Sequence, residues 1–597
     1  MEEQTRQGMS STDTSAKTTP RRFDRIFRYL KGYRGYLILG SVSVLLANGF
    51  LLVNPYLVKV IFDKLEKGES SGVILKFVIL MIALSALAGF FRFMMRRTII
   101  WMSRRLEYDI RAELTRHLFS LSPSFYDTNR TGDMMARATN DLEAVRQMIG
   151  PGIMQISNTI ITVVMAVTMM IYLSPRLTLY SLIPSLIFPV MVYVLGNLVH
   201  KKFIRIQEHF SLLTATAQEN LAGVRVVRAY RQEDQEIEHF SGMSQTYVKL
   251  NLEMARLYGT FFPLIAFLAA GLNLVVLYFG GLDVLHGVLP LGTMVAFFAY
   301  LSILYWPMMA IGWVMSLYQR GTASLDRINA ILNTPSEIRD EIANPVQKEM
   351  HGDVEFRNLR FAYDGKPVLD GINLKIGAGQ TVGIVGLTGS GKTTLVTLLS
   401  RMYPVHRDMI FIDSADVNDW GVKSLRSQIG FVTQEPFLFS DTMADNIRFG
   451  RESASMESIH DSARMSALSK DVESFPAGYE TMVGERGITL SGGQKQRTAI
   501  ARALAINPAI LILDDATSAV DTETDHEINE AIRSRAKKCT TFIISHRMSS
   551  VKDADLIIFL EDGKIAEQGT HEELMSIGGN YAELYRSQLL AAELEQL

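Results

Sequence analysis

The sequence predicts an all-α membrane half with six spans, followed by a soluble α/β half. Long apolar segments run to about residue 320, and alternating strand-like and helix-like segments begin near residue 350. A mean hydropathy of +0.13 excludes wholesale disorder, which requires low hydrophobicity and high net charge. The formal charge of −2 disfavours a dedicated nucleic-acid binder, so no nucleic-acid partner is expected. The single cysteine, Cys539, excludes an intramolecular disulfide framework.

Six segments are long and apolar enough to cross a bilayer, since a helix needs about 20 apolar residues to do so. They are residues 36–62, 73–100, 151–173, 177–199, 257–281 and 288–316. The lipid bilayer is therefore an expected partner. Polar residues within these spans, such as Asn48 and Asn158, must find partners inside a helical bundle because lipid offers none. Residues 1–21 are polar and are expected to form a flexible cytoplasmic tail.

The connections between the spans are uneven in length. Residues 101–150 and 200–256 have helical periodicity, and arginines and lysines cluster at their membrane ends. Under the positive-inside rule, both stretches lie in the cytoplasm. They are predicted to be long helices joined by turns near Ser122–Thr131 and Thr214–Gly223, where contact with a motor domain is expected.

A phosphate-binding loop is predicted at GLTGSGKTT, which follows the apolar strand TVGIVG and precedes a helix. In this context backbone N–H groups surround phosphates, and the following helix directs its positive end at them. Lys392 supplies a point charge, and the Thr393 hydroxyl suits Mg²⁺. The remaining expected nucleotide-binding residues of the loop are Gly386, Thr388, Gly389, Ser390, Gly391 and Thr394.

Two further motifs follow. AILILDD is an apolar strand that delivers Asp514 and Asp515 at its carboxyl end, where an open α/β sheet places ligand chemistry. Asp514 is expected to complete the Mg²⁺ shell.

The second motif is LSGGQKQR, in which Ser491 and the backbone amides of Gly492 and Gly493 open a helix and form an anion-binding end. A second phosphate cradle makes sense if it serves a nucleotide on a partner domain.

Together these residues resemble the ATP-binding cassette (ABC) family. LSGGQ, with Gln494, resembles its signature motif, and GLTGSGKTT and ILILDD resemble its Walker A and Walker B motifs. Tyr363 resembles the family's adenine-stacking aromatic residue, and Gln434 resembles its Q-loop glutamine. Asp521 resembles the D-loop aspartate, and His546 resembles the switch histidine. The resemblance implies catalytic roles for His546 and Gln434, Mg²⁺ binding by Gln434, and nucleotide binding by Tyr363 and Asp521.

The resemblance extends from about residue 22 to the end and includes the exporter-like stretches 125–137 and 219–233. It implies an ABC exporter half-transporter, an all-α six-helix transmembrane domain fused to an α/β P-loop ABC ATPase domain. The expected boundaries are 1–21 for the tail, 22–333 for the transmembrane domain, 334–350 for a linker and 351–597 for the ATPase domain. Two ATPase domains stack head to tail in this family, so that each ATP lies between one Walker A motif and the other chain's signature.

One position departs from the family pattern. The residue after the Walker B aspartate is usually a glutamate that acts as general base, and here it is Asp515, one methylene shorter. A base must lie within about 2.6–3.2 Å of the water it polarises, so hydrolysis at this chain's own Walker site is expected to be slow. The intact signature favours a heterodimer whose partner carries the glutamate. A homodimer that tolerates aspartate is the alternative.

The implied activity is ATP- and Mg²⁺-dependent export of an amphipathic drug or lipid across a bacterial inner membrane, with the ATPase domain in the cytoplasm. The apolar spans offer a cavity with few charges, which suits such a cargo. A rival interpretation is a non-pumping regulator or gated channel in which ATP binding alone acts, and Asp515 keeps this alternative open.

Overall fold

The computed structural model describes residues 22–340, 345–363, 365–484, 487, 489–535 and 539–595. The predicted tail 1–21 and positions 341–344 of the predicted linker lie outside the described residues. The described chain forms two compact units. The first contains residues up to 119 together with 130–334, and the second contains residues 120–129 together with those from 335 onward.

The first unit is helical. Long helices alternate with short helical segments, and π-helical turns occur at Arg137–Asp141, Met148–Gly152 and Val276–Gly280. In chain order, with α4 belonging to the second unit, the helices are α1 (Asp24–Gly32), α2 (Arg34–Glu66), α3 (Ser71–Ser120), α4 (Pro123–Thr128), α5 (Thr131–Ala136), α6 (Leu142–Gln147), α7 (Ile153–Leu173), α8 (Pro175–Ser185), α9 (Ile187–Ala222), α10 (Val224–Ala229), α11 (Glu233–Val275), α12 (Gly281–Leu285) and α13 (Leu291–Asn333).

Five helical stretches of the described residues are long and apolar enough to span a membrane. They are Arg34–Glu66, Ser71–Ser120, Thr131–Leu173, Glu233–Leu285 and Leu291–Asn333. The remaining predicted span, 177–199, is also helical, but Leu186 divides it between α8 and α9. The first unit is therefore a multi-pass helical membrane domain.

Of the two predicted turns between long helices, one lies where predicted and one is displaced. The first lies where predicted, because α3 ends at Ser120 and α5 begins at Thr131. The second, predicted near Thr214–Gly223, is displaced toward the C-terminus, because α9 continues to Ala222 and the chain turns from Gly223 through α10. The hydroxyl of Thr214 donates to the Phe210 carbonyl at 2.9 Å within the helix, so this polar stretch does not need to leave it.

Asn48 and Asn158 find hydrogen-bond partners inside the bundle, as predicted. The Asn48 Nδ2 donates to Asn158 Oδ1 at 3.0 Å, and the Thr162 hydroxyl donates to Asn48 Oδ1 at 2.7 Å. The Tyr300 hydroxyl, fully buried, donates to the Leu52 carbonyl at 2.9 Å. These bonds join α2, α7 and α13. They also satisfy buried polar groups that would be costly to leave unpaired in an apolar surrounding.

The second unit contains a six-stranded sheet, a four-stranded sheet and helices. Its strands are β1 (Val354–Tyr363), β2 (Lys366–Ile376), β3 (Thr381–Gly386), β4 (Ile410–Ile412), β5 (Ala415–Asp416), β6 (Ile429–Val432), β7 (Ile510–Asp514), β8 (Thr540–Ile544), β9 (Leu556–Glu561) and β10 (Lys564–Gly569). Its helices after α4 are α14 (Lys392–Leu399), α15 (Val422–Arg426), α16 (Met443–Arg448), α17 (Met456–Met465), α18 (Ser469–Ser474), α19 (Gly492–Ala505), α20 (Thr522–Arg535), α21 (Met548–Val551), α22 (His571–Ile577) and α23 (Asn580–Glu595).

The larger sheet has the order β10-β9-β3-β8-β7-β6, and all its neighbours are parallel except β10 and β9. Every residue of β3, β7 and β8 is buried, as continuous apolar runs predict for a sheet covered on both faces. The smaller sheet is antiparallel in the order β2-β1-β4-β5. The α/β class predicted for this half is confirmed.

Helix α4 packs within this second unit. The Tyr403 hydroxyl donates to Asp127 Oδ2 at 2.9 Å, and the hydroxyls of Ser122 and Ser124 donate to Glu337 Oε2 at 2.8 and 2.6 Å. Burial and the hydrogen bond to the Asp127 carboxylate raise the pKa of Tyr403 above its ordinary value. The expected contact of the first turn with the α/β half is confirmed by these bonds.

Close helix packing in the membrane unit gives a test of this fold. A Cβ added at Gly150 would lie 2.7 Å from the Cβ of Ser103, which is fully buried, whereas a Cβ at Gly89 meets nothing within 4 Å. We expect Gly150→Ala to lower the melting temperature of the detergent-solubilised protein by a few degrees, because overpacking costs roughly 1–3 kcal/mol. The matched control Gly89→Ala leaves it unchanged or raises it, because alanine favours helix. Equal melting temperatures for the two variants would contradict this packing.

Candidate functional site

The loop between β3 and α14 forms an open cradle. Gly386, Gly389 and Gly391 have φ values of 145°, 85° and 98°, which L side chains rarely adopt. A Cβ at Gly386 would overlap the Leu560 carbonyl, and one at Gly391 would lie 2.8 Å from Leu369 Cδ2. The space around Gly389 is open. Ser390 is buried, and its hydroxyl has no hydrogen-bond partner. A loop of glycines with an unpaired buried hydroxyl fits a phosphate group as its occupant.

Lys392 begins α14 and turns back over this loop. Its Nζ donates to the carbonyls of Gly386 and Leu387 at 2.9 and 2.8 Å, and the side chain is buried. Burial lowers the pKa of Lys392, while the Asp514 and Asp515 carboxylates act in the opposite direction. A desolvated ammonium group held over an anion cradle gains strongly from a phosphate charge.

The next residue reaches the strand that carries the carboxylates. The Thr393 hydroxyl donates to Asp514 Oδ1 at 3.1 Å, where β7 ends. Burial raises the pKa of Asp514, and the neighbouring Asp515 adds to this, whereas the hydrogen bond from Thr393 lowers it. A nearby positive charge would therefore favour the ionised carboxylate. No cluster of three or more His, Cys, Asp or Glu side chains suited to a metal occurs in the described part of the chain.

Sheet register brings two further predicted residues, His546 and Gln434, to the same edge. Asp514 pairs with Ile544 across β7 and β8, and Ile544 pairs with Ile384 across β8 and β3. His546 follows β8 by two residues and is exposed. Gln434 follows β6 by two residues and is also exposed, and β6 pairs in parallel with β7. The carboxyl ends of these strands thus gather the predicted catalytic side chains beside the phosphate loop.

Asp515 occupies a left-handed backbone position with φ of 47°. Its N–H donates to the Ile544 carbonyl at 2.8 Å. Its own carbonyl accepts from the Ser518 hydroxyl at 3.0 Å and from Gln496 Nε2 at 3.4 Å. The backbone of Asp515 is therefore held from both sides.

The LSGGQ loop begins α19 at the protein surface. Ser491 is exposed and caps the helix, since its hydroxyl accepts from the Gln494 N–H at 3.3 Å while Gln494 Oε1 accepts from the Ser491 N–H at 3.0 Å. Gln494 also donates to Asp471 Oδ1 at 2.9 Å. Gly493 lies against Ala519, where an added Cβ would come 2.9 Å from the Ala519 carbonyl oxygen. The exposed N-terminus of α19 offers backbone N–H groups to an anion.

The other two residues predicted to contact the nucleotide are Asp521 and Tyr363, which lie on different elements from the signature loop. Asp521 caps α20, accepting from the Thr524 N–H at 2.9 Å, and this bond lowers the pKa of Asp521. Tyr363 ends β1, with its hydroxyl 3.5 Å from Thr394 Oγ1, and its ring packs edge-to-face against Tyr403 with centroids 5.1 Å apart. Tyr363 is therefore placed beside the start of α14, with a partly exposed ring.

Two residues that support this edge were missed in the sequence. Gln496 holds the segment after Asp515, with Nε2 donating to the Ser518 hydroxyl at 2.8 Å and Oε1 accepting from the Ala519 N–H at 2.8 Å. Arg547 donates to the carbonyls of Val520 and Ser518 at 2.6 and 2.9 Å. Gln496 could have been identified in the sequence as a polar residue on a face of α19 that otherwise contains the apolar residues Ala499, Ile500 and Ala503.

Family models match both units. Residues 37–308 match the ABC transporter transmembrane region, and residues 369–518 match the ABC transporter model. The chain is 37% identical over 95% of its length to the probable multidrug resistance ABC transporter ATP-binding/permease protein YheI of Bacillus subtilis, covering 97% of that protein. It is 32% identical over 95% of its length to the ATP-dependent lipid A-core flippase of Syntrophus aciditrophicus, covering 94% of it.

A solved structure agrees in fold. A bacterial Atm1-family ABC exporter with ATP bound superposes with a TM-score of 0.77 at 27% identity, covering 93% of this chain and 98% of that one. The matches extend over the membrane unit and the ATPase unit alike. The chain belongs to the ABC transporter family, as an exporter-type half-transporter in which a helical transmembrane domain is fused to an ABC domain that hydrolyses ATP to drive transport.

Proposed function

We propose that this chain is one subunit of a two-subunit exporter that moves amphipathic compounds, drugs or lipids, out of the cytoplasm by alternating access. The observation that carries the proposal is the presence in one chain of a multi-pass helical unit and a phosphate-binding sheet edge with carboxylate, glutamine and histidine. The names of two relatives, a multidrug resistance protein and a lipid A-core flippase, support an amphipathic cargo.

ATP and Mg²⁺ are the proposed ligands of the sheet edge. The glycine cradle, Ser390 and Lys392 suit the phosphates, while the ring of Tyr363 suits the adenine. Thr393 and Asp514 already share a hydrogen bond, and with Gln434 they supply the oxygen ligands that Mg²⁺ prefers. Bound Mg²⁺ would neutralise charge on the phosphate oxygens. His546 follows β8 and Gln434 follows β6, the strands on either side of β7, and the two side chains would orient the terminal phosphate and the attacking water.

The exposed signature loop supports a site completed by a second subunit. Ser491 and the N-terminus of α19 are on the surface, and their contacts are with Asp471 and Ala519. Facing the phosphate loop of a partner, this helix end would add N–H donors to the γ-phosphate. ATP binding would then draw the two ATPase domains together, and its hydrolysis would release them.

The backbone around Asp515 supports slow hydrolysis at this chain's own Walker site. An aspartate is one methylene shorter than a glutamate, and a backbone shift would be needed to bring its carboxylate to the same place. The bonds from Asp515 to Ile544, Ser518 and Gln496 oppose that shift. Because misplacement near 1 Å can cost on the order of 100-fold, we propose that a heterodimeric partner supplies the competent glutamate.

Membrane orientation completes the proposal. The basic residues that flank the spans favour a bacterial inner membrane protein with the ATPase domain in the cytoplasm. The segment 120–129, seated in the ATPase unit through Tyr403 and Glu337, would carry the nucleotide-driven movement to the helices that precede and follow it in the chain.

Asp515 also favours one second candidate, a membrane regulator gated by ATP binding without turnover. The two functions differ in whether hydrolysis is needed for vectorial movement. A homodimeric exporter that tolerates aspartate is the remaining alternative for the assembly.

Transport by the complete protein tests the function. Inverted membrane vesicles containing the chain with its co-purified partner should accumulate a fluorescent amphipathic dye or a fluorescent phospholipid when ATP and Mg²⁺ are added. Lys392→Met should strongly reduce accumulation because the phosphate charge loses its buried partner, whereas Lys375→Met, at an exposed lysine of β2, should not. ATP turnover without accumulation of either probe, or permeation that persists with a non-hydrolysable ATP analogue, would contradict export and favour the gated regulator.

Substitution at position 515 tests the assembly. In the assembled transporter, Asp515→Glu should raise ATP turnover or leave it unchanged, and Asp515→Asn should change it by no more than about twofold. Glutamine in place of the partner's corresponding glutamate should abolish turnover, because only that site carries a base of sufficient reach. The heterodimer is contradicted if the chain alone hydrolyses ATP at the full rate and Asp515→Asn abolishes that activity.

A further inference from the structure

The C-terminal helix α23 contacts the loop that carries His546. Gln588 Nε2 donates to the His546 carbonyl at 2.7 Å, and Gln588 Oε1 accepts from the Met548 N–H at 3.0 Å. The side-chain amide of Gln588 thus bonds the backbone on each side of Arg547, at the carbonyl of the residue before it and the N–H of the residue after it. A paired contact of this kind restrains the position and the direction of the loop, since each bond limits the rotation that the other allows.

Helix α23 is firmly placed at its start. The carboxylate of Glu567, on β10, accepts from the N–H groups of Asn580 at 2.5 Å and of Tyr581 at 3.2 Å. The Tyr581 hydroxyl lies 2.7 Å from His571 Nδ1, and its ring is fully buried. Burial raises the pKa of Tyr581 to about 12. The first turn of α23 is therefore held by the sheet and by α22.

The helical spacing along α23 puts Gln588 on the same face as the residues that fix the position of the helix. Tyr581, Leu584, Tyr585 and Gln588 recur at intervals of three and four residues, so they share one helix face. The first three pack with the apolar cluster that contains Met548 and Val551 of α21. Gln588 continues this face as its polar member, directly over the loop after β8.

Met548 is 2% exposed and packs in the apolar cluster, whereas the side chain of His546 lies at the surface. His546 is exposed, so its imidazole is not restrained by surrounding apolar packing. Arg547 holds the opposite side of the loop, since its guanidinium donates to Val520 and Ser518 and its N–H donates to the Ser545 hydroxyl at 2.9 Å. Hydrogen bonds of Gln588 and Arg547 therefore restrain the backbone of residues 546–548 from two directions.

We propose that Gln588 is a positioning residue for ATP hydrolysis, and that the C-terminal helix uses it to hold the backbone of His546 so that the imidazole faces the terminal phosphate. The inference rests on the role of His546 in the function proposed above. Because a catalytic group displaced by about 1 Å can lose on the order of 100-fold in rate, loss of two backbone bonds should be visible in turnover. Nucleotide affinity should be unaffected, since Gln588 contacts none of the phosphate-loop residues through these bonds.

The test uses the full-length assembled transporter carrying Asp515→Glu, so that the site served by His546 has a base of full length. If a partner is present, its own glutamate is replaced by glutamine so that turnover reports this site. Gln588→Ala should lower kcat roughly tenfold with KM for ATP within twofold. Gln588→Glu should lower kcat as well, because a carboxylate oxygen would then face the His546 carbonyl. The matched control is Ser587→Ala, at an exposed neighbour on the same helix.

Two further measurements separate positioning from a general loss of structure. In the His546→Ala background, Gln588→Ala should cause no additional fall in kcat. Amide hydrogen exchange at Met548 should speed up in Gln588→Ala, while exchange in β7 remains unchanged. The proposal is overturned if kcat is unaffected, if the fall is equally large without His546, or if the Met548 amide exchanges as before. It is also overturned if His546→Ala alone leaves kcat unchanged, in which case the role of His546 fails rather than the contact.

Discussion

The parallel pairing of β3, β8 and β7 is the constraint on which the rest of the site depends. Ile384, Ile544 and Asp514 lie at one level of the sheet, so the residues that follow each strand emerge together. The phosphate loop precedes the carboxylates and His546 by more than a hundred residues in sequence, yet they meet because three buried strands end at the same edge. A slip in this register would separate them even if every motif were intact.

Local motifs made much of this site predictable. A strand, a glycine loop and a helix are consecutive in the chain, so the sequence indicates the cradle around Gly386 and Lys392 directly, and the ILILDD strand likewise indicates Asp514. The helical membrane unit was predictable because crossing a bilayer requires length and apolarity. The second turn was predicted too far toward the N-terminus, because side-chain hydroxyls such as that of Thr214 bond within a helix as readily as they end one.

Contacts between distant segments were not predictable from one sequence. Gln496, Arg547 and Gln588 carry ordinary polar side chains, and no spacing rule indicates that they would converge on the backbone of residues 515–520 and 546–548. Their common feature is that each bonds backbone groups of a distant segment. Catalytic groups carried on exposed loops need such support, since the loops themselves bury little apolar surface to hold them.

The central claim is that events at the nucleotide reach the membrane unit through residues 120–129, held by the bond between Tyr403 and Asp127. The ring of Tyr403 also contacts Tyr363, so one aromatic side chain touches both the proposed adenine platform and α4. The most direct measurement is the amount of probe transported per ATP hydrolysed in Tyr403→Phe, Asp127→Asn and the double variant. The account predicts a severalfold fall in this ratio with KM for ATP unchanged, and the same fall in the double variant as in either single one. An unchanged ratio in all three would contradict it.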